Sequence, residues 1–581
     1  MLVRYPLASA RLALAAGVTF GLVSALYAAP ARACGGFFCD VVNNVPVPVD
    51  QTGENIIFAI DGTNGKVEAH IQIQYTGDPA KFAWVIPVTA VPEFTIGSEQ
   101  LFTNLLSSTV PTYSFSFASD CEMRDPPSLG CSSLAEQSGG DGSGAITSAG
   151  GDSGDSGGPQ VVKREVVGAF EIVVLQGGTA QEVFDWLSNN GYYQDQDALP
   201  ILEEYLKEKY YFAAAKLLQG AGVDELQPIV MTYAGDTPCV PLRLTRIAAM
   251  PDMAVRIFGL GHSRYAPSNY KHVELNDAAI DWVTNAANYN EVVGAAIDTP
   301  GSDGRGFITE FSGSVGGIDR TGIYSSAWRS ETFVGAAPVD ALDNTVVDAL
   351  EDMGLVDCSL YFDGGECSYL HPQILPLLRT YLPAPPLIAE SEFYNCMECY
   401  KDQIDLAKWD AAAFAQQLEE RIIQPGKHAI DMLNRWRQVT RLLTIMSPEE
   451  MTADPEFVQN PDLPDVAAAR TATRNVPCGG SDKMLLPSGE VLLLDPAGSW
   501  PMFPVEMPAA LRIEQMAPSG APQVLQDLKD QIRAAAKASN ERFDYDDGRG
   551  ISCTLRGGTW SGGAALAVVF AFAWRGRRRR R

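Results

Sequence analysis

Gly154-Asp155-Ser156-Gly157-Gly158-Pro159 spells the nucleophile motif of trypsin-like proteases, and Gly154 to Gly158 also satisfies G-x-S-x-G. Either chemistry needs a histidine base beside Ser156, an acid to orient that base and preorganised backbone donors for the oxyanion. The only histidine upstream is His70, on the polar side of an alternating stretch and without the residues that flank a protease histidine. The hexapeptide also lies in a tract of Gly, Ser and Asp running from Ser138 to Pro159, where composition alone produces it. Ser156 therefore reads as a loop residue, and no catalytic residue is assigned.

Other residue types that could do chemistry give equally little. Cys396-Met397-Glu398-Cys399 has redox spacing, yet no βαβ pattern precedes it, and Tyr400 stands where a c-type haem site needs histidine. The five histidines, His70, His262, His272, His371 and His428, contain no H-E-x-x-H and no i, i+4 pair. His262 and His272, on segments expected to be neighbours, leave one weak metal option. Asp544 to Gly548 departs from a calcium loop because its glycine comes one residue early, and Ser268 to Lys271 spells S-x-x-K without its companion motifs. No P-loop or dinucleotide fingerprint occurs, so neither cofactor nor metal is assigned.

The two ends of the chain carry more information. Arg4 and Arg11, the apolar run Leu12 to Ala29 and Ala31-Arg32-Ala33 read as a signal peptide over 1–33, with cleavage after Ala33 leaving Cys34 first. A lipoprotein signal is the rival, but Ala31 occupies the place where that signal carries leucine. At the other end, Ala564 to Trp574 is apolar and is followed by Arg575 and Arg577 to Arg581. That run is short for a permanent span, which wants roughly twenty residues.

Export sets the cysteine chemistry. An oxidising compartment favours disulfides, and close spacing pairs Cys34 with Cys39, Cys121 with Cys131, Cys358 with Cys367 and Cys396 with Cys399. Cys239 and Cys478 are then left for each other, and Cys553 is left over; spacing does not fix this connectivity. The three arginines of 1–33 and the seven of 554–581 have no acid beside them. Losing those ten charges takes the net charge from −28 to −38. Such a surface repels phosphates, which argues against nucleic acid as a partner.

The elements expected to carry these residues form an α+β fold. At 581 residues, 46% hydrophobic and 20% charged, the chain is long enough for a sizeable core and has none of the marks of disorder. Asn55 to Ile60, Val67 to Tyr75 and Phe82 to Val88 are predicted to form an antiparallel meander, with Asn64-Gly65 in the first turn and Pro87 confining the third strand to an edge. In the second strand Val67, Ala69, Ile71 and Ile73 face one way and Glu68, His70, Gln72 and Gln74 the other. A β-rich part over 34–137 leads to a Gly/Ser/Asp-rich loop over 138–159 and an α+β continuation over 160–300. Thr179 and Glu182 there predict a capping box. An irregular insertion with a short helix (301–400), a helical part with a hairpin (401–552) and a C-terminal tail (553–581) follow. Within these, single helices are predicted over Asp277–Ala296, Lys427–Leu443 and Val524–Ser539, and a strand over Leu242–Ile247.

Cys34-Gly35-Gly36-Phe37-Phe38-Cys39, Val49-Asp50-Gln51, Glu54 to Phe58 and Phe82 to Val88 resemble an uncharacterised bacterial family, number 2330 among the domains of unknown function. Trp186-Leu187 with Asn190-Gly191-Tyr192, Phe212 to Lys216, Leu226-Gln227-Pro228, Ser447 to Thr452 and Asp454-Pro455 extend the resemblance over Cys34 to Val466. The family implies no activity. The tail resembles myxobacterial and Gly-Gly type sorting signals; in the myxobacterial form a cysteine placed like Cys553 is processed, while Gly557-Gly558 and Gly562-Gly563 fit the other type. Together these readings give an exported, disulfide-stapled protein of the cell surface or envelope membranes, attached through its termini. Its expected partners are signal peptidase, a C-terminal sorting protease and an unidentified envelope ligand. Its expected role is non-enzymatic binding or structure, with a hydrolase outside the cytoplasm as the alternative.

Overall fold

The computed structural model describes residues 41–119 and 158–543, except 43–44, 47–49, 62–63, 77–82, 193–194, 219–225, 236–237, 239, 359–366 and 479. The expected signal peptide, Ala33, Cys34, Cys39, Cys121, Cys131, Cys239, Ser156 and the tail with Cys553 lie outside the described residues. The fold is α+β. Its centre is a ten-stranded sheet whose middle strands are Gly306–Ser314, Gln438–Met446, Ala249–Gly261, Asp50–Asp61 and Lys66–Thr76, in that order across the sheet.

The first hairpin is as predicted. Asp50–Asp61 pairs antiparallel with Lys66–Thr76, and Gly65 takes a φ of 59°, a left-handed conformation that costs glycine nothing. The third strand corrects the meander. Ala83–Val88 leaves this sheet and pairs with Tyr211–Leu217 at the edge of a separate four-stranded antiparallel sheet with Phe170–Gln176 and Gln160–Val167. Its sequence explains the move. All six of its residues are buried, so it needs cover on both faces, which the outer strand of a half-solvated meander would not receive. Trp84, Ile86 and Val88 pack against Ile56, Phe58, Val67, Ala69 and Ile71 of the large sheet. Ala83 and Val85 face the helices Ala180–Asn189 and Ala198–Lys207. Pro87 still sits on an edge strand, where its missing N–H costs nothing.

The opposite face of the large sheet is also covered. Helices Glu99–Thr109 and Gln424–Arg435 bring Leu101, Phe102, Leu105, Ala429, Met432 and Leu433 onto Ile57, Ala59, Phe258 and Leu260. Thr179 and Glu182 close the predicted capping box.

Four element expectations fail for identifiable reasons. The helix expected over Lys427–Leu443 ends at Arg435, and Gln438–Met446 is a central strand, because its apolar run is buried on both faces and carries no period. The helix expected over Asp277–Ala296 is interrupted where Asn285 and Ala286 adopt positive φ, leaving a 3-10 turn Asp277–Ala279 and a helix Tyr289–Ile297. Leu242–Thr245 is a helical turn rather than a strand. Val524 to Ser539 divides into an edge strand Gln523–Asp527 and a helix Lys529–Phe543, whose first N–H is met by the Asp527 carboxylate at 3.0 Å.

Residues expected to be irregular include the buried strand Gly306–Ser314. Helices Val346–Asp352, Ile374–Tyr381, Glu390–Asn395 and Ala411–Leu418 share one core built around Phe333, Leu350, Phe393 and Phe414. Two disulfides, Cys358–Cys367 and Cys396–Cys399, tie this unit as expected from spacing.

Candidate functional site

Alternation in Lys66–Thr76 sends Val67, Ala69 and Ile71 into the inter-sheet core and turns Glu68 and His70 toward the helix Gln424–Arg435. That helix is amphipathic. Ala429, Met432 and Leu433 lie on the sheet, and His428 stands at the margin of the contact. The side chains converge there. One oxygen of Glu68, Oε1, is 2.6 Å from His70 Nε2 and 2.6 Å from His428 Nε2. The imidazole planes are nearly parallel, 6° apart, with ring centres 5.9 Å from each other. His70 is buried, Glu68 is partly exposed and His428 is open to solvent.

Burial pushes the Glu68 carboxyl up, but the hydrogen bonds from His428 and His70 outweigh it and hold the group well below the usual carboxylate range. The Glu68 hydrogen bond raises His428, and Asp431 on the same helix adds to that field. Both ring nitrogens that meet Glu68 are therefore donors to an ionised carboxylate. His70 Nδ1 has no hydrogen-bond partner among the described residues. Arg435 is engaged with Asp61, so its positive charge is already matched.

Other buried polar groups hold the scaffold. Arg441 Nε donates to Glu310 Oε2 at 2.5 Å, and Tyr289 donates to the second carboxylate oxygen at 2.8 Å. Arg243 meets Asp454 through both its backbone N–H and its Nε, and the Tyr205 hydroxyl donates to the same carboxylate. A third group of acids, Glu450, Asp298 and Asp252, is more exposed. Burial and the approach of Asp298 push Glu450 up to about 7.

His262 and His272 do not form the metal pair left open by the sequence. His262 packs on Trp436, whereas His272 is buried and hydrogen-bonds Glu514 through Nδ1 and Thr309 through Nε2. Burial holds His272 neutral, and the Arg264 charge adds to this. Cys396 and Cys399 spend their sulfurs on each other, which removes them as metal ligands. Cys478 is disulfide-bonded. Sequence reasoning placed Glu68 and His70 on the polar face of the correct strand but did not join them to His428, 360 residues away. The i, i+2 spacing of an acid and a histidine on a strand was the available signal; the helix that completes the set was not readable from it.

Two surface hollows lie elsewhere among the described residues. One of about 700 Å³ runs between the helices after Gly178 and is lined by Thr179, Leu199, Glu203 and Lys207. Another of about 740 Å³ lies by Glu351, Asp357 and Tyr369.

The fold and the site define a disulfide-tied α+β protein in which a strand and a helix bring one carboxylate and two imidazoles together. The chain belongs to the family described as uncharacterized proteins conserved in bacteria, DUF2330, whose profile matches residues 28–320. That span stops short of Val466, where the motif resemblance ended. It includes Glu68 and His70 but not His428. No curated protein and no solved structure matches the chain. Among the described residues no helix is long and apolar enough to cross a membrane.

Proposed function

We propose that this is an exported protein held at the cell envelope through its processed termini, and that its role there is to bind a partner rather than to transform one. The observation that carries the reading is the state of its cysteines: Cys358, Cys367, Cys396, Cys399 and Cys478 are all in disulfides. Structural disulfides persist outside the reducing cytoplasm. The signal-like start and the apolar, arginine-ended tail agree with that destination, and the strongly acidic middle suits solubility there.

Intact mass of the protein recovered from fractionated cells tests the reading. The expected species starts at Cys34, lacks the terminal arginines and travels with the envelope. A full-length, reduced chain in the cytosol refutes it. A hydrolase acting outside the cytoplasm is the second reading, favoured by Glu68, His70 and His428, whose types match the donor set of some catalytic zinc sites. Hydrolysis of model esters or peptides that vanishes in Glu68→Gln would support it; the binding role predicts no turnover in either form.

A further inference from the structure

We propose that Glu68, His70 and His428 form a site for one first-row divalent cation, zinc being the best fit. The inference does not depend on where the protein resides or whether it turns over a substrate.

Three observations carry it. First, the donor atoms already converge, since both Nε2 atoms lie 2.6 Å from the same carboxylate oxygen and all three donor atoms fall within 4.8 Å of one another. Zinc bonds of about 2.0–2.2 Å to nitrogen and oxygen place ligand atoms a little over 3 Å apart, so a small withdrawal of Glu68 would admit the ion. Second, the set is mixed in a way a plain clamp does not require. One histidine would satisfy the Glu68 oxygen and fasten the helix to the sheet, yet two parallel imidazoles are brought to it from different elements. Third, the exposure is graded. His70 is buried and fixed by its strand, while His428 is open to water, leaving an entry path and a position for a water ligand. Coordination frees each Nε2 of its proton: an imidazolium releases it to solvent and a neutral imidazole carries it on Nδ1 instead, so that both bound rings are neutral.

Donor chemistry narrows the ion. Two imidazoles and a carboxylate suit zinc and its first-row neighbours, whereas calcium and magnesium call for oxygen ligands throughout. Among the described residues the other cluster with metal-ligating types is Cys396, Glu398 and Cys399, and the disulfide has closed it.

The test uses purified, untagged protein with its disulfides intact and stripped with a chelator. Competition against a chromophoric zinc indicator is expected to report one tight equivalent per chain. Cobalt(II) is expected to give visible bands of low-coordinate nitrogen and oxygen ligation without a thiolate charge-transfer band. His428→Ala alters an exposed side chain and should fold normally, as circular dichroism would verify; it should weaken zinc by at least about a hundredfold, beyond the 10–100-fold effect of an outer-shell partner. Glu68→Gln should do the same. No zinc uptake by the wild type, or uptake that His428→Ala retains, would overturn the proposal.

Discussion

Replacing His371 by asparagine should flatten the acid limb of this protein's stability curve. His371 is buried in the helical unit, its Nδ1 accepting from the Gln373 N–H at 3.2 Å and its ring set edge-on to Trp328. Burial, reinforced by the charge of Arg421, pulls it down from 6.5 to about 4. Arg421 is fixed there by the side chains of Gln227 and Gln373, and Gln373 is held in turn by Glu99. The folded state therefore keeps His371 neutral between about pH 4 and 6.5, where the unfolded chain binds a proton. Stability is complete above 6.5 and is lost as pH falls through that window.

At about 1.36 kcal/mol per unit, the gap of 2.5 units is worth about 3 kcal/mol in all, of which about 2 kcal/mol is gone by pH 5. Glu99 works the other way, since burial raises its pKa and so erodes stability as pH rises above its ordinary value. Comparing two proteins that both retain Glu99 removes most of that opposing slope. Asparagine keeps an acceptor for the Gln373 N–H but cannot take up the proton. Its cost in lost packing is a constant offset. Urea unfolding of wild type and His371→Asn, followed by tryptophan fluorescence from pH 7.5 to 4.5, is the assay. The difference between the two should shrink by about 2 kcal/mol by pH 5. Parallel profiles would show that His371 is protonated in the folded state, and the reasoning about its burial would fail.

Glu310→Ala should cost about 3–5 kcal/mol, because it leaves Arg441 buried beside Arg256 with no carboxylate between them. Replacing Glu310 and Arg441 together by leucine should cost less than that single change, and urea midpoints that rank the two in the opposite order would contradict it. Gly426→Ala should destabilise by about 1–3 kcal/mol although alanine is the better helix former, since its Cβ would lie 2.0 Å from the Ile323 carbonyl oxygen. A raised melting temperature for that variant would mean the helix does not approach Ile323 so closely.

What could be read from the sequence was local. The Asn64-Gly65 turn, the capping box of Thr179 and Glu182, the edge position of Pro87 and the short-range disulfides all depend on residues a few places apart. What failed depended on knowing what covers a segment. Gln438–Met446 is buried on nearly every residue and so shows no period, and Ala83–Val88 joins a different sheet from the strand before it because two separate layers demand its two faces. The site failed for the same reason. Glu68 and His70 looked like the wet side of a half-buried strand, but that side is roofed by a helix more than 350 residues further on, and its polar groups needed partners from that roof.

That roof also shows how the family segment and the rest of the chain depend on each other. The Gln438–Met446 strand lies between Gly306–Ser314 and Ala249–Gly261, so the large sheet is continuous only with a strand from beyond residue 320. Charged contacts mark the same junctions: Arg441 with Glu310, Arg243 with Asp454 and His428 with Glu68 each join a residue within 28–320 to one outside it. Apolar strands buried on both faces can slide in register at little cost in contact area, whereas a slip here would strand a buried charge. The pairing of Glu68 with both His70 and His428 is thus one of several stitches between the two parts, and through His428 it is the most exposed of those three, which gives a ligand access to it.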